Sequence, residues 1–452
     1  MTTFADLHEV YTTGEVTPVE VAERFLASRP VDGPLQSFRA VNADSVLAQA
    51  AESAQRFRAG APLGPLDGVL VGIKDFIAVD GYRSYGGTAD LGVHGDLDAL
   101  LVTRLRRSGA VIAGKTHTTE LGLSPTGTSA AQPTPRNPHD LHRLTGGSSS
   151  GTGAAVAAGL ITAGVGSDGG GSIRIPASLC GVFGIKPSWQ LVPTHGEMSV
   201  GWWSIEHIGP LARTTQDLAT MLSVMSDQPM PLTQDPLRFG VDWAWWGQPD
   251  SQIDASCRSV VAELSPRSVT VDHIELAPVA GYVTALSELT AGIWQPLQDR
   301  PETFSADILT AVAQAPNISG ADYVRAQQAR AMLAEAFDRV FAEVDVLLVP
   351  TVALPAPPRP SEQELAGGIL DSDLIQAMTA YTFPANLCGL PAASVPVGIT
   401  PATAANPGLP VGLQIVGPRG GDGLVLSACD ALERAGLAAR PRPGHEHATL
   451  TA

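Results

Sequence analysis

Lysine is almost absent from this 452-residue chain. Of 28 basic residues only Lys74, Lys115 and Lys186 are lysines, which leaves 28 − 3 = 25 arginines. Basic charge is scarce overall: 28 Lys and Arg face 45 Asp and Glu, a formal balance of −17. Such a surface repels phosphate backbones and anionic lipid, so neither nucleic acid nor membrane is expected as a direct partner. No apolar run approaches the roughly 20 residues that span a bilayer. The opening residues, MTTFADLHEVYTTGEV, lack the basic and apolar regions of a secretory signal. Cysteine is sparse too. Cys180, Cys257, Cys388 and Cys429 show no CxxC spacing, which suits reduced thiols and a cytoplasmic protein. Cys180, within ASLCGVFG, reads as a small buried hydrophobe rather than a nucleophile. The apolar fraction of 44% places the chain among folded proteins.

The three lysines repay a closer look. Each sits in an apolar, strand-like setting: VLVGIKDFIAV, AVIAGKTH and GVFGIKPS. Burial disfavours the charged form of lysine, and arginine cannot take a role that requires a neutral side chain. Either one of the three is a general base, or all three are structural, their ammonium groups bonded to carbonyls or carboxylates.

Helical and strand-like segments alternate. TPVEVAERFLAS opens with a capping box: Thr17 as N-cap, Pro18 at N1 and Glu20 at N3. NADSVLAQAAESAQRFRAG is a helix stopped by Gly60, and the segment from Gly68 is a buried strand. A second helix ends at Gly109 before the short strand AVIAG. GADYVRAQQARAMLAEAFDRVFAEV is a long amphipathic helix leading into the strand DVLLVP. The alternation predicts an α/β fold: one large mixed-sheet α/β/α domain over residues 1–452. Residues 228–318, Pro-rich and then Trp-rich, read as an irregular, variable, lid-like region of that domain.

Three short motifs overlap in the glycine-rich centre. Gly164 to Gly169 fits GxGxxG, but the run before it reads as helix, and SIRIPAS does not continue as an amphipathic helix. Gly146 to Gly151 begins a phosphate loop that lacks the lysine needed for the phosphates. Gly147 to Gly151 fits the GxSxG elbow, yet NPHDLHRLT before it is no buried strand, and His445 and His447 fall in a polar tail. His139 and His142 lie in a Pro/Asp-rich loop with no clustered acids, so no metal site is expected.

Both glycine-serine clusters taken together with a lysine make better sense. Lys74 in GVLVGIKD, the block GGSSSGTGAAVAAG, and GSDGGGSIRIPASLCGVFGIKPS resemble the amidase signature family of serine hydrolases. AGKTHTTEL, IGPLARTTQDL, VDVLLVPT, FPANLCGLPAASVPVG and GLPVGLQIVGP are similar to further family segments. The signature core falls at about 61–220, and the C-terminal part of the domain at about 320–435.

The resemblance implies a Ser-Ser-Lys unit. Lys74 matches the base and Ser148 the bridging serine, which in the family follows a non-proline cis peptide bond. Ser172 matches the nucleophile, 172 − 148 = 24 residues on. Lys74 would take a proton from Ser148 as Ser148 takes one from Ser172, which attacks an amide carbonyl and forms an acyl-enzyme. Backbone N–H groups of Gly169, Gly170, Gly171 and Ser172 would face the oxyanion unobstructed by a Cβ. Asp168 and Arg174 would hold that loop, with Ser149 as a supporting hydrogen-bond partner, and Lys115 and Lys186 would be structural. Thr126 and Gly127 resemble a pocket-lining loop. Trp202, Trp203 and His207 stand where family members carry smaller or acidic residues, and Trp189 and Gln190 also depart from the family pattern. The tryptophans either mark a flat or apolar substrate group or simply pack.

The expected function is hydrolysis of a small-molecule amide without metal or cofactor, releasing ammonia or an amine. A homodimer is left open. The alternatives are the A-type subunit of a glutamyl- or aspartyl-tRNA amidotransferase, a biuret- or urea-type hydrolase, and a silent binding protein on the same scaffold. The intact Lys74, Ser148 and Ser172 argue against the last.

Overall fold

A computed structural model of the chain describes residues 3–196, 202–368, 370–402 and 408–446. His447, named above, lies outside them. Among the described residues, eleven strands form one mixed sheet. One half runs Phe38–Ala40, Val111–Thr116, Leu70–Lys74, Ala163–Ser167, Ile208–Ala212 and Phe183–Lys186. It continues through Ala392–Ile399, Pro410–Val416, Val346–Pro350, Phe239–Val241 and Arg267–Ser268. Leu70–Lys74 lies parallel to both Val111–Thr116 and Ala163–Ser167, whereas the strands at the middle of the sheet pair antiparallel. This is the mixed α/β architecture expected. Among the described residues no helix is long and apolar enough to cross a membrane.

The local signals act as their chemistry requires. Thr17 and Glu20 close a capping box over the helix Pro18–Ala27, and Asn42 caps Ala43–Arg58. Gly60 and Gly109 follow their helices with φ of +66° and +89°. The helix Ser150–Ala157 is buried along its whole length and made of small residues. It packs so close to the sheet that a Cβ on Gly164 would sit 2.5 Å from Thr152 Cγ2.

Two expectations are corrected. The run before the triple glycine is not helical throughout: Ala163–Ser167 is a strand, and the helix that follows, Arg174–Cys180, is buried on every side rather than amphipathic. The GxGxxG context thus exists in part, but Gly164 and Gly166 lie inside the strand rather than in the turn, where a dinucleotide fingerprint needs them. Residues 228–318 are not irregular either. They contain the helices Ser251–Leu264, Ala277–Gly292 and Ala306–Val312, and the strand Phe239–Val241 extends the sheet. Ala277–Gly292 is apolar on most of its sides, so it carries little helical period to be read from sequence.

Candidate active site

Lys74 and Ser167 end two adjacent parallel strands, the position where open α/β sheets present ligand sites. From there the fully buried Lys74 Nζ donates to Ser148 Oγ at 2.7 Å and Ser167 Oγ at 2.8 Å. It also lies 4.7 Å from the Phe76 ring centroid. The Gly147–Ser148 peptide is cis. Ser149 ties the two serine loops together. Its N–H donates to Ser172 O, and its hydroxyl bonds to Ser167 O at 3.2 Å and accepts from Ser167 N at 3.3 Å.

The glycine loop is held from behind. Asp168 and Arg174 form a 2.8 Å ion pair with neither side chain exposed. Asp168 Oδ1 accepts the Gly171 N–H at 2.7 Å and Oδ2 the Ile173 N–H at 3.1 Å. Burial alone would raise the Asp168 pKa, but the charge and hydrogen bonds of Arg174 outweigh it and hold the carboxylate well below its usual range. Arg174 also donates to Gln414 Oε1 and to Thr382 O. Asn386 donates to Asp168 O and Oδ1, and the Thr382 hydroxyl to Gly170 O at 2.6 Å. One expected oxyanion donor is corrected here: the Gly171 N–H is already bound by Asp168, while Gly169 and Gly170 face the open space.

That space is a cavity of about 760 Å³. Ser148 and Ser172 share it with Gly169 and Gly170. Apolar walls come from Phe76, Leu123, Trp202, Leu286, Ile375 and Phe383. The helix Ala277–Gly292 forms one wall because Gly281 lets it approach Phe383, where a Cβ would lie 2.5 Å from the ring. Of the expected pocket residues only Trp202 lines the cavity, its indole N–H fixed on Leu121 O at 2.7 Å. Trp203 is 72% exposed to solvent. His207 is buried behind the loop, its Nδ1 2.8 Å from Ile205 O, and burial lowers its pKa. Thr126 and Gly127 back the Ser148 loop: a Cβ on Gly127 would meet Gly146 O at 2.4 Å. Trp189 and Gln190 do not line the cavity either.

The other two lysines have protein partners. Lys115 Nζ bonds to Ile77 O and Ser84 Oγ and lies 3.6 Å from Asp75. Burial lowers its pKa to about 8 against the pull of Asp75, and burial raises Asp75 to about 6 against the pull of Lys115. Asp75 therefore serves Lys115 and leaves Lys74 to the serines. Lys186 donates to Leu390 O and to Pro187 O, and burial pushes its pKa down.

Sequence reading passed over Glu206, Thr382, Asn386 and Gln414. Each is a polar residue in an otherwise apolar segment: SIEHIG, YTFPANLCG and VGLQIVG. That pattern was the available signal, since buried polar groups are kept where they have partners.

Comparison with known proteins gives one family. The family model described as Amidase matches residues 20–426. A fatty acid amide hydrolase of Medicago truncatula is 34% identical, over 97% of this chain and 77% of that protein. The A-type subunit of the glutamyl-tRNA(Gln) amidotransferase of Chloroflexus aggregans is 32% identical, over 96% of each chain. A crystal structure of an amidase superposes with a TM-score of 0.86 at 29% identity, covering 96% of this chain and 100% of that one.

Proposed function

The chain belongs to the amidase family and hydrolyses carbon–nitrogen amide bonds, and we propose that it does so through an acyl-enzyme on Ser172, acting on a neutral amide with an apolar acid part. The observation that carries this reading is the 2.7 Å contact of Lys74 Nζ with Ser148 Oγ, at the edge of the cavity that Ser172 shares. Lys74, as the amine, takes the Ser148 proton while Ser148 takes that of Ser172. Ser172 Oγ bonds to the amide carbon, and the electron pair moves onto oxygen. The N–H groups of Gly169, Gly170 and Ser172 meet that charge. Such donors are worth about 2.7–4 kcal/mol each elsewhere. The proton returns through Ser148 to the departing nitrogen, which leaves as ammonia or an amine. Water then attacks the ester by the same relay.

The acid part of the substrate follows from the walls. A cavity of about 760 Å³ suits a drug-sized molecule, and most of this one is apolar. Among the described lining residues there is no Lys or Arg. A substrate carboxylate would therefore lose its water without gaining a counter-charge. This weighs against an amino-acid amide as ammonia donor, and so against the amidotransferase reading that the match to the Chloroflexus protein supports. It weighs equally against carboxylated ureas. A panel of acyl, aryl and cyclic amides and ureas, assayed for ammonia or amine release, tests the proposal. Turnover should rise with the apolar size of the acid part until the cavity is full. Preference for a carboxylated substrate would overturn the substrate class. Failure of a fluorophosphonate to label Ser172 would overturn the chemistry.

A further inference from the structure

Glu206 is the one carboxyl or basic side chain among the described residues that line the cavity. Its turn is pinned on both sides. The Trp202 indole holds Leu121 O, Glu206 N donates to Trp202 O at 2.8 Å, and Asp168 N and His207 O bond at 2.7 Å. Ser204 is held by Glu288, and Arg330 donates to Ser204 O at 3.1 Å. The carboxyl is thereby fixed over the glycine loop: a Cβ built on Gly169 would lie 2.8 Å from Glu206 Oε2. The Glu206 carboxyl also faces the Ser167 hydroxyl. That same hydroxyl oxygen receives Lys74 Nζ at 2.8 Å. Glu206, Ser167, Lys74 and Ser148 therefore stand in one row, with Lys74 bonded to both serines.

The geometry points to Glu206 as a positioning residue that sets the charge on Lys74 through Ser167. This rests on the reading of Lys74 as the base. In the proton step the Ser167 hydroxyl gives its proton to the Glu206 carboxylate as it takes one from the Lys74 ammonium. One proton has moved from Nζ to Oε, leaving a neutral amine beside a neutral acid, with no other reactant required. The amine lone pair is then open to the Ser148 proton. An apolar acid part entering the cavity expels water from the Glu206 carboxyl, and a dry site disfavours the separated charges relative to the neutral pair. Substrate binding would thus free the base.

The surroundings fit this role. Burial raises the Glu206 pKa, and the nearby Asp168 charge pushes the same way, while the Lys74 ammonium and the Ser167 hydroxyl oppose them. Asp168 is itself tied to Arg174. His207, next on the turn, has its pKa pushed down by burial and by Lys186 and Arg174, against the pull of Asp168.

The test is the pH profile of kcat/KM, which reports the free enzyme, measured on one neutral amide. Glu206→Gln keeps size and hydrogen bonding but removes the charge. Its acid limb should move to higher pH by about one unit or more: in the wild type the singly protonated pair is competent and only a second proton stops it, whereas without the Glu206 charge the first proton on Lys74 does. Glu206→Asp should keep the wild-type limb. An unmoved limb in Glu206→Gln overturns the inference. If that variant does not fold, Glu206→Met gives the same reading. Lys74→Met, assayed alongside, separates the two levels. Wild-type activity in Lys74→Met sinks the assignment of the base and this inference with it. An inactive Lys74→Met with an unmoved Glu206→Gln limb sinks the role of Glu206 alone.

Discussion

Arg174 and Asp168 form a fully buried ion pair that clasps both ends of the glycine loop: the Asp168 carboxylate also accepts backbone N–H groups from Gly171 and Ile173. Removing one partner of such a pair leaves an uncompensated charge, at a cost of about 3–5 kcal/mol. Arg174→Met should lose that much stability in denaturant melts and most of its activity. A variant that melts like wild type would show that the clasp carries no stability.

The glycines of the loop should not tolerate side chains equally. Gly171 has φ +131°, and its Cβ would lie 2.5 Å from Thr382 Oγ1 and 2.6 Å from Ile175 Cδ1. Gly170 needs only the Phe383 ring to yield, at 2.8 Å. Gly171→Ala should therefore be destabilised by more than about 1 kcal/mol, and by more than Gly170→Ala. Thermal melts of the two variants check the order.

The lysines separate stability from rate. Lys115→Met leaves the Asp75 carboxylate buried without its cation, and should lower stability by about 3–5 kcal/mol. Folded Lys115→Met molecules should still turn over substrate. Lys74→Met should fold and lose at least about 100-fold in kcat, the lower range for a general base. Circular dichroism melts alongside active-site titration distinguish the two. A Lys115→Met protein that folds normally yet is inactive would reverse the assignment.

Acid should act partly through His117 and His139. Burial holds both near pKa 4, below the usual 6.5. A depressed folded pKa gives stability that is full above 6.5 and falls away as pH drops from 6.5 towards 4, at most about 3 kcal/mol per histidine. Asp75 and Asp217, raised by burial to about 6, act in the opposite direction. The readout is therefore the difference between wild type and His139→Gln in urea melts at pH 7 and 4.5. The variant should show the weaker acid dependence, and equal slopes would refute the assignment.

Two neighbouring tryptophans should behave differently. Trp202 lines the cavity, whereas Trp203 is solvent-exposed. Trp202→Ala should raise KM for apolar amides several-fold, and Trp203→Ala should leave it unchanged. Equal effects would show that Trp202 takes no part in binding apolar amides.

Much of this molecule could be read along the chain. Capping boxes, strands and glycine stops are local events, so Thr17, Gly60 and Gly109 announced their own structure. Rarity singled out three buried lysines, and the glycine-serine blocks carried the family resemblance. Pattern could not say which neighbour each lysine would reach. Asp75 follows Lys74 in sequence but answers Lys115 on the next strand. Trp203 looked like a pocket residue and faces solvent, while Glu206 attracted no notice and faces the serines. Thr382, Asn386 and Gln414 come from more than 200 residues away to hold the loop that ends in Ser172. The sequence by itself determined the elements and the kinds of chemistry available, because backbone preference and residue type are properties of short stretches. Only the tertiary structure decided which groups share a hydrogen bond and a dry cavity, because those partners meet only when distant segments pack across the same sheet.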